Sequence, residues 1–300
     1  MYLRPIKMKL AYYPGCTLKT QAKNFEDSAL ASFEKLGIEL KELKRWNCCG
    51  TVYSLTSDDL MHHLAPIRNL IRVKEEGENK VVTFCSMCYN TLKRSALRIK
   101  NNAEDREKIA NFMDREEVKY EGDVEVLHGL EVLRDEISFK KIAETIKKPL
   151  KDLKIAPYYG CLLLRPNEVG IDDPENPSIL EDFICALGAE PIDFPYKNEC
   201  CGAYQTVNQV DIVIDKAYSI ISNAQSMGAD IIITSCPLCE FNLDRRQKDI
   251  KNKHPNFKEM PVVYFTQALA VALGLGPKTC RFDLNYVSPQ STFKLQKNGI

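Results

Sequence analysis

The sequence predicts an α/β fold of two pseudosymmetric halves, each a mostly parallel sheet flanked by helices. Three observations predict it: short apolar runs alternate with longer stretches of helical periodicity, the same order of motifs occurs twice, and 44% hydrophobic residues in 300 are enough to build a core in each half. In chain order, "KLAYY" (Lys9 to Tyr13), "VVTF" (Val81 to Phe84) and "VEVL" (Val124 to Leu127) read as buried strands. Between them, Phe25, Ala29, Phe33 and Leu36 share one helical face, as do Leu60, Leu64, Ile67, Leu70 and Ile71. The charged stretch "RIKNNAEDREKIANFMDREEVK" reads as a solvated helical face. "KIAPYY", "DIIITS" and "PVVYF" repeat the strand pattern in the second half.

The repeat is carried most clearly by cysteines. The first half reads "YYPGC" ending at Cys16, "FEKLGIEL", "NCCG" with Cys48 and Cys49, and "FCSMCYN" with Cys85 and Cys88. The second reads "YYGC" ending at Cys161, "ICALGAEP", "ECCG" with Cys200 and Cys201, and "SCPLCEFN" with Cys236 and Cys239. Cys16 and Cys161 are 145 positions apart, whereas Cys85 and Cys236 are 151 apart, so about six residues are inserted after Cys161. "LLLRPNEVGIDDPENPS" is the expected site of that insertion, as a surface loop. A two-domain division into 1–150 and 151–300 follows, joined near Lys148 to Lys151.

Formal charge is zero and the pI is about 6.9, which removes the electrostatic case for nucleic acid or an anionic membrane as partner. The longest apolar runs fall short of the ~20 residues of a membrane helix. The opening "MYLRPIKMKLAYYPGC" contains no signal-peptide core, and Met8 offers a natural start. A cytoplasmic protein is expected. Twelve cysteines in such a chain favour metal or redox chemistry over a disulfide scaffold.

Cys16, Cys85, Cys161 and Cys236 each close a predicted strand, and the two CxxC pairs open helices. That gathers the thiols at the carboxyl edge of each sheet, where ligands bind in open parallel folds. Each half supplies five thiols. Closed tetrahedral zinc uses four, disulfides within a half would leave one over, and a thioredoxin-like dithiol does not account for CCG. A polynuclear iron–sulfur centre can use all of them. Adjacent Cys48 and Cys49 would then reach different irons, with Gly50 and Gly202 letting the backbone pass close by.

The duplicated Cys, CCG and CxxC pattern resembles the cysteine-rich, or CCG, domain family, and the arrangement without a fused ferredoxin segment is similar to the CCG-type subunits of heterodisulfide reductases. The resemblance runs from Cys16 to about Gly276 and implies two [4Fe-4S] clusters of the noncubane kind. One would be held by Cys16, Cys48, Cys49, Cys85 and Cys88, the other by Cys161, Cys200, Cys201, Cys236 and Cys239. It further implies reduction of the coenzyme M–coenzyme B mixed disulfide to two thiols, with the disulfide lying between the halves. No G-x-G-x-x-G follows a strand, so electrons must come from another protein. The family implies a ferredoxin-like iron–sulfur subunit, itself fed by a flavin subunit. Two alternatives stand beside this reading. One is an electron-transfer subunit of a lactate/glycolate-type oxidoreductase, in a family that also serves glycerol phosphate oxidation and thiol-dependent fumarate reduction; the other is a noncatalytic zinc-binding scaffold.

The substrate anions direct attention to Lys19, Arg94 and Arg165, each within a few residues of a motif cysteine. His128 closes "VEVLH" at the cysteine edge and is a candidate proton donor. His62, His63 and His254 are expected to be solvated. Cys185 is expected on the apolar face of a helix, and neither it nor Cys280 is assigned a ligand role.

Overall fold

Four consecutive buried residues, Ile231 to Thr234, are what a parallel strand covered on both faces requires, and they form the centre of the second of two sheets. The computed structural model describes residues 8–50 and 60–295. In the first half, β1 (Met8–Tyr12), β2 (Ile38–Glu42), β3 (Lys80–Thr83) and β4 (Glu125–His128) form an all-parallel sheet in the order β2-β1-β3-β4. In the second, β5 (Lys154–Tyr158), β6 (Glu190–Pro191), β7 (Ile231–Thr234) and β8 (Val262–Tyr264) repeat that order as β6-β5-β7-β8. Winding reverses between β1 and β3, and again between β5 and β7. A crevice therefore opens at the carboxyl ends of those strands.

The helices of the first half include α1 (Gly15–Lys19), α2 (Lys23–Lys35), α3 (Leu64–Glu75), α4 (Ser86–Asn101) and α5 (Ala103–Phe112). Those of the second include α6 (Ile179–Ala186), α7 (Val210–Ser226), α8 (Pro237–Glu240) and α9 (Phe265–Ala272). One continuous hydrophobic cluster spans both halves. At the seam the Phe25 ring of α2 stacks on Tyr264 at 4.1 Å, with Phe84 and Phe265 edge-on to it. The hydroxyls of Ser28 and Thr266 meet at 2.7 Å beside them. Asn285 joins Asn24 and Gln267 across the same seam.

Several expectations change. Strands β2 and β6 were not foreseen: "IELKE" alternates charge with apolar residues on a half-exposed edge, and β6 is only two residues long. The inserted segment is not a plain surface loop. Leu163, Leu164 and Val169 are buried, and α4 reaches across to it, Tyr89 donating to the Val169 carbonyl and Asn90 to those of Leu162 and Arg165. The charged stretch is amphipathic, since Ile99, Ile109 and Met113 are buried. Cys185 is exposed, because the apolar face of α6 runs through Leu180, Phe183, Ile184 and Leu187, about 100° away around the helix. His63 is buried with Nδ1 2.8 Å from the Ser95 hydroxyl, and His254 stacks on Tyr218, so neither is a solvated side chain.

His128 is the most consequential change. Its ring is fully buried, Nε2 lies 2.8 Å from the Phe84 carbonyl, and Nδ1 accepts from the Leu130 N–H at 3.2 Å. Both nitrogens are committed to the backbone, so the imidazole is a structural brace with no free nitrogen for proton donation. Burial lowers its pKa from 6.5 to about 4. The unfolded chain then binds a proton below pH 6.5 that the folded chain refuses until about pH 4. Stability is present above 6.5 and falls by roughly 3 kcal/mol as pH drops through that window. Unfolding free energies from urea titrations at pH 7 and pH 5 should separate by about 2 kcal/mol more in the wild type than in His128→Gln. Identical pH dependence in the two proteins would show that the ring is not held neutral.

Candidate metal centre

The motif cysteines lie in the loops and first helical turns that follow the strands, which the strand order brings to the crevice. Cys16 lies in α1, just beyond β1, Cys85 caps α4 directly after β3, and Cys236 caps α8 directly after β7. Cys48 and Cys49 follow β2. None of the twelve cysteines is in a disulfide.

The doublets point two ways. Cys48 Sγ lies 3.6 Å from Cys16 Sγ on the exposed side, while Cys49, 2% exposed, lies 3.5 Å from Cys88 Sγ within. The second half repeats this, with Cys200 hydrogen-bonded to Cys161 and Cys201 Sγ 3.6 Å from Cys239 Sγ. The two CxxC turns meet across the seam at Ser86 and Ser235, whose hydroxyls lie 2.8 Å apart, and this brings Cys85 and Cys236 close enough to act on each other electrostatically. Among the described residues no three or more His, Cys, Asp or Glu side chains converge as they would around a single metal ion. The thiols meet in pairs, Cys16 with Cys48, Cys49 with Cys88 and Cys201 with Cys239.

The electrostatics follow from the pairing. Hydrogen bonds from Cys239 and then Cys85 hold the Cys236 thiol well below its ordinary range. Cys200 is lowered to about 6, first by its bond with Cys161 and then by the N–H groups of Gly202 and Ala203 and by Lys216. Cys161, its partner, is raised in turn.

Two pairs of residues missed from the sequence shape this array. Gly15, at φ +73°, would place a Cβ 2.8 Å from Cys88 Sγ, and Gly160, at φ +65°, would place one 3.1 Å from Cys239 Sγ. At these two positions a side chain would strike a thiol. Gly202, expected to pass close, donates its N–H to Cys200 Sγ at 3.3 Å, whereas a Cβ at Gly50 or Gly202 would face Ala65 or the Val213–Lys216 turn of α7. Tyr13 donates to the Asn47 carbonyl at 2.9 Å and Tyr158 to the Glu199 carbonyl at 2.7 Å, each just ahead of a doublet. Both rings are buried against the thiols of their own half. The repeated "YYPGC" and "YYGC" contained this signal: an aromatic residue and a glycine precede the first cysteine both times.

The three cationic candidates each have other partners or surroundings in this structure. Lys19 is neutralised by Glu26 at 2.7 Å and Glu42 at 2.5 Å. Arg165 donates to the Asn198 and Pro174 carbonyls and pairs with Glu175, bracing the loop that leads to Cys200. Arg94 stands six residues beyond Cys88, about 9 Å along α4 and some 240° around it. It lines a separate cavity with His63, Arg98, Asn101, Asn102 and Asp105.

The donor set fits a thiolate-ligated iron–sulfur group. Five thiols per half gather with no carboxylate or imidazole among them, and each set has a glycine where a side chain would strike a thiol.

Comparison with known proteins agrees with this chemistry. The cysteine-rich domain (CCG) family matches residues 10–93 and 155–244. The chain is 31% identical over 283 residues to the 8-methylmenaquinol:fumarate reductase membrane anchor subunit of Wolinella succinogenes, covering 94% of this chain and 98% of that one. It is 28% identical over 285 residues to a subunit of the ferredoxin/F(420)H(2)-dependent CoB-CoM heterodisulfide reductase of Methanosarcina acetivorans, covering 93% and 94%. A hypothetical protein from Helicobacter pylori shares the fold at a TM-score of 0.73 and 15% identity; the match covers 94% of this chain and about half of the other, 53%. Among the described residues no helix is long and apolar enough to cross a membrane.

Proposed function

Because the chain belongs to the cysteine-rich CCG domain family and is an iron–sulfur redox subunit of that family, we propose that it is the disulfide-reducing subunit of a heterodisulfide reductase. The substrate is the mixed disulfide of coenzyme M and coenzyme B, which takes up two electrons and two protons to give two thiols. The observation that carries this reading is the presence of two complete five-cysteine sets on either side of one seam, their CxxC turns joined by the Ser86–Ser235 hydrogen bond. Two equivalent centres side by side match a reaction that needs two electrons at one bond.

Cys16, Cys48, Cys49, Cys85 and Cys88 would hold one noncubane [4Fe-4S] cluster, and Cys161, Cys200, Cys201, Cys236 and Cys239 the other. When bound, such clusters supply the one-electron steps. The chain's own residues do the rest. Tyr13 and Tyr158 hold the doublet loops against the strand ends, and Gly15 and Gly160 leave room beside the inner thiols. Burial of Cys85, Cys88, Cys236 and Cys239 keeps water from the seam, while Cys16, Cys48, Cys161 and Cys200 form its more accessible rim. The Ser86–Ser235 contact closes the seam's centre, so the disulfide enters at that rim rather than between the innermost thiols. Electrons come from a ferredoxin-like iron–sulfur subunit, in turn fed by a flavin subunit, in a cytoplasmic complex.

A second reading is favoured by the 31% identity to the fumarate reductase subunit. In that reading the same centres only relay electrons. Anaerobic protein should contain about eight iron and eight sulfide per chain, and with a reduced viologen dye it should reduce the mixed disulfide. Zinc in place of iron would overturn both readings. Iron without disulfide reduction, together with electron transfer from a menaquinol to a fumarate-reducing partner, would favour the relay.

A further inference from the structure

Five tyrosines lie near the motif thiols, and four of their hydroxyls are accounted for. Tyr13 and Tyr158 donate to backbone carbonyls, Tyr12 to Glu26 and Tyr264 to Glu240. The hydroxyl of Tyr204 is buried and has no hydrogen-bond partner among the described residues. A buried O–H left unpaired costs about 1–3 kcal/mol, so such groups are rare and call for a reason.

The surroundings of Tyr204 supply one. It lines a narrow cleft with Ser86, Met87, Leu162, Cys161 and Cys236. Cys161, Cys236 and Cys200 of one set and Cys49 of the other all lie close enough to act on its phenol electrostatically. A phenol is protonated at neutral pH, hence an O–H donor. Its backbone is firmly held. Gly202, at φ +80°, starts the short turn Ala203–Gln205 that projects the ring. Asn242 ties the Thr206 hydroxyl at 2.5 Å and the Cys201 carbonyl at 3.3 Å, and Arg246 donates to the Thr206 carbonyl at 3.0 Å. A donor pre-positioned in a water-poor cleft is suited to charge that appears during reaction.

We propose that the Tyr204 hydroxyl donates a hydrogen bond to a sulfur of the substrate disulfide and to the thiolate that this sulfur becomes. The proposal rests on the disulfide-reducing reading above. In that reaction the S–S bond breaks, two electrons arrive from a reduced one-electron donor, and two protons arrive from solvent. Tyr204 keeps its own proton throughout and stabilises the negative charge developing on sulfur.

Tyr204→Phe in the iron-loaded full chain tests this, because it deletes one oxygen and leaves the ring. With reduced viologen and the mixed disulfide, kcat should fall about 10- to 100-fold. Binding of 2-mercaptoethanesulfonate, followed by its effect on the EPR spectrum, should weaken about tenfold. Iron content and midpoint potentials should match the wild type. Unchanged kcat and thiol binding in the variant, with an active wild type, would overturn the Tyr204 proposal alone. So would a rate loss accounted for by a shifted midpoint potential, since the hydroxyl would then serve a resident sulfur. A wild type that neither binds the thiol nor reduces the disulfide would overturn both this proposal and the reading beneath it.

Discussion

Gly15→Ala should lose about half of the chain's iron. The new Cβ would stand 2.8 Å from Cys88 Sγ, a separation that real Cβ atoms do not tolerate, and the residue would have to keep φ at +73°. The left-handed conformation costs a residue with a side chain about 1–2 kcal/mol. Displacement of Cys88 comes on top and falls on one of the five ligands proposed for the first cluster. Gly77→Ala separates the two effects, because Gly77 has φ +77° with nothing within 4 Å of the added atom. That control should show the conformational cost alone and full iron content. Gly160→Ala, at 3.1 Å from Cys239 Sγ, should lose iron from the second set less completely. Iron and sulfide analysis with EPR reads all three variants. Full iron in Gly15→Ala would mean that Cys88 is not a ligand where it stands.

Phe25→Ala should destabilise the protein by about 3–5 kcal/mol, and both halves should unfold together. Phe25 is fully buried, stacks on Tyr264 with an interplanar angle of 5°, and has Phe84 and Phe265 edge-on to it. Tyr264 and Phe265 belong to the second half, so the cavity would open at the seam. The Ser28–Thr266 and Asn24–Asn285 contacts beside it would lose their packing. Denaturant unfolding followed by tyrosine fluorescence and by iron release should shift as one transition. Two separate transitions, with only one of them moved, would show that the halves are energetically independent.

The sites of these two predictions differ in how legible they were. The glycine ahead of each leading cysteine stood in plain view in the repeat, but a one-dimensional pattern does not show which thiol a backbone approaches. Gly50 and Gly202 seemed better placed because they follow the doublets directly. The space a Cβ would fill there lies toward Ala65 and α7, and it is the Gly202 N–H that reaches a thiol, that of Cys200. Phe25 was readable as a core residue from helical periodicity, yet nothing local marks its partner as Tyr264, some 240 positions on. His128 was rightly placed at the cysteine edge and wrongly given a free nitrogen. Its hydrogen bonds go to Phe84 and Leu130, one on a different strand and one past a turn.

The amino-acid sequence alone determined the duplicated α/β plan, the ten motif cysteines and their placement at strand ends. Those follow from periodicity, spacing and the conformational rules of strand, turn and helix, all of them local or repeated at a fixed offset. Only the tertiary structure decided that the doublet cysteines diverge, one outward to Cys16 or Cys161 and one inward to Cys88 or Cys239. It alone decided that Ser86 meets Ser235, that Lys19 and Arg165 pair with carboxylates while Arg94 lines its own cavity, and that the Tyr204 hydroxyl has no partner among the described residues. These are contacts between segments far apart in the chain, set by how two sheets pack across a shared aromatic seam, and no local pattern encodes a contact of that kind.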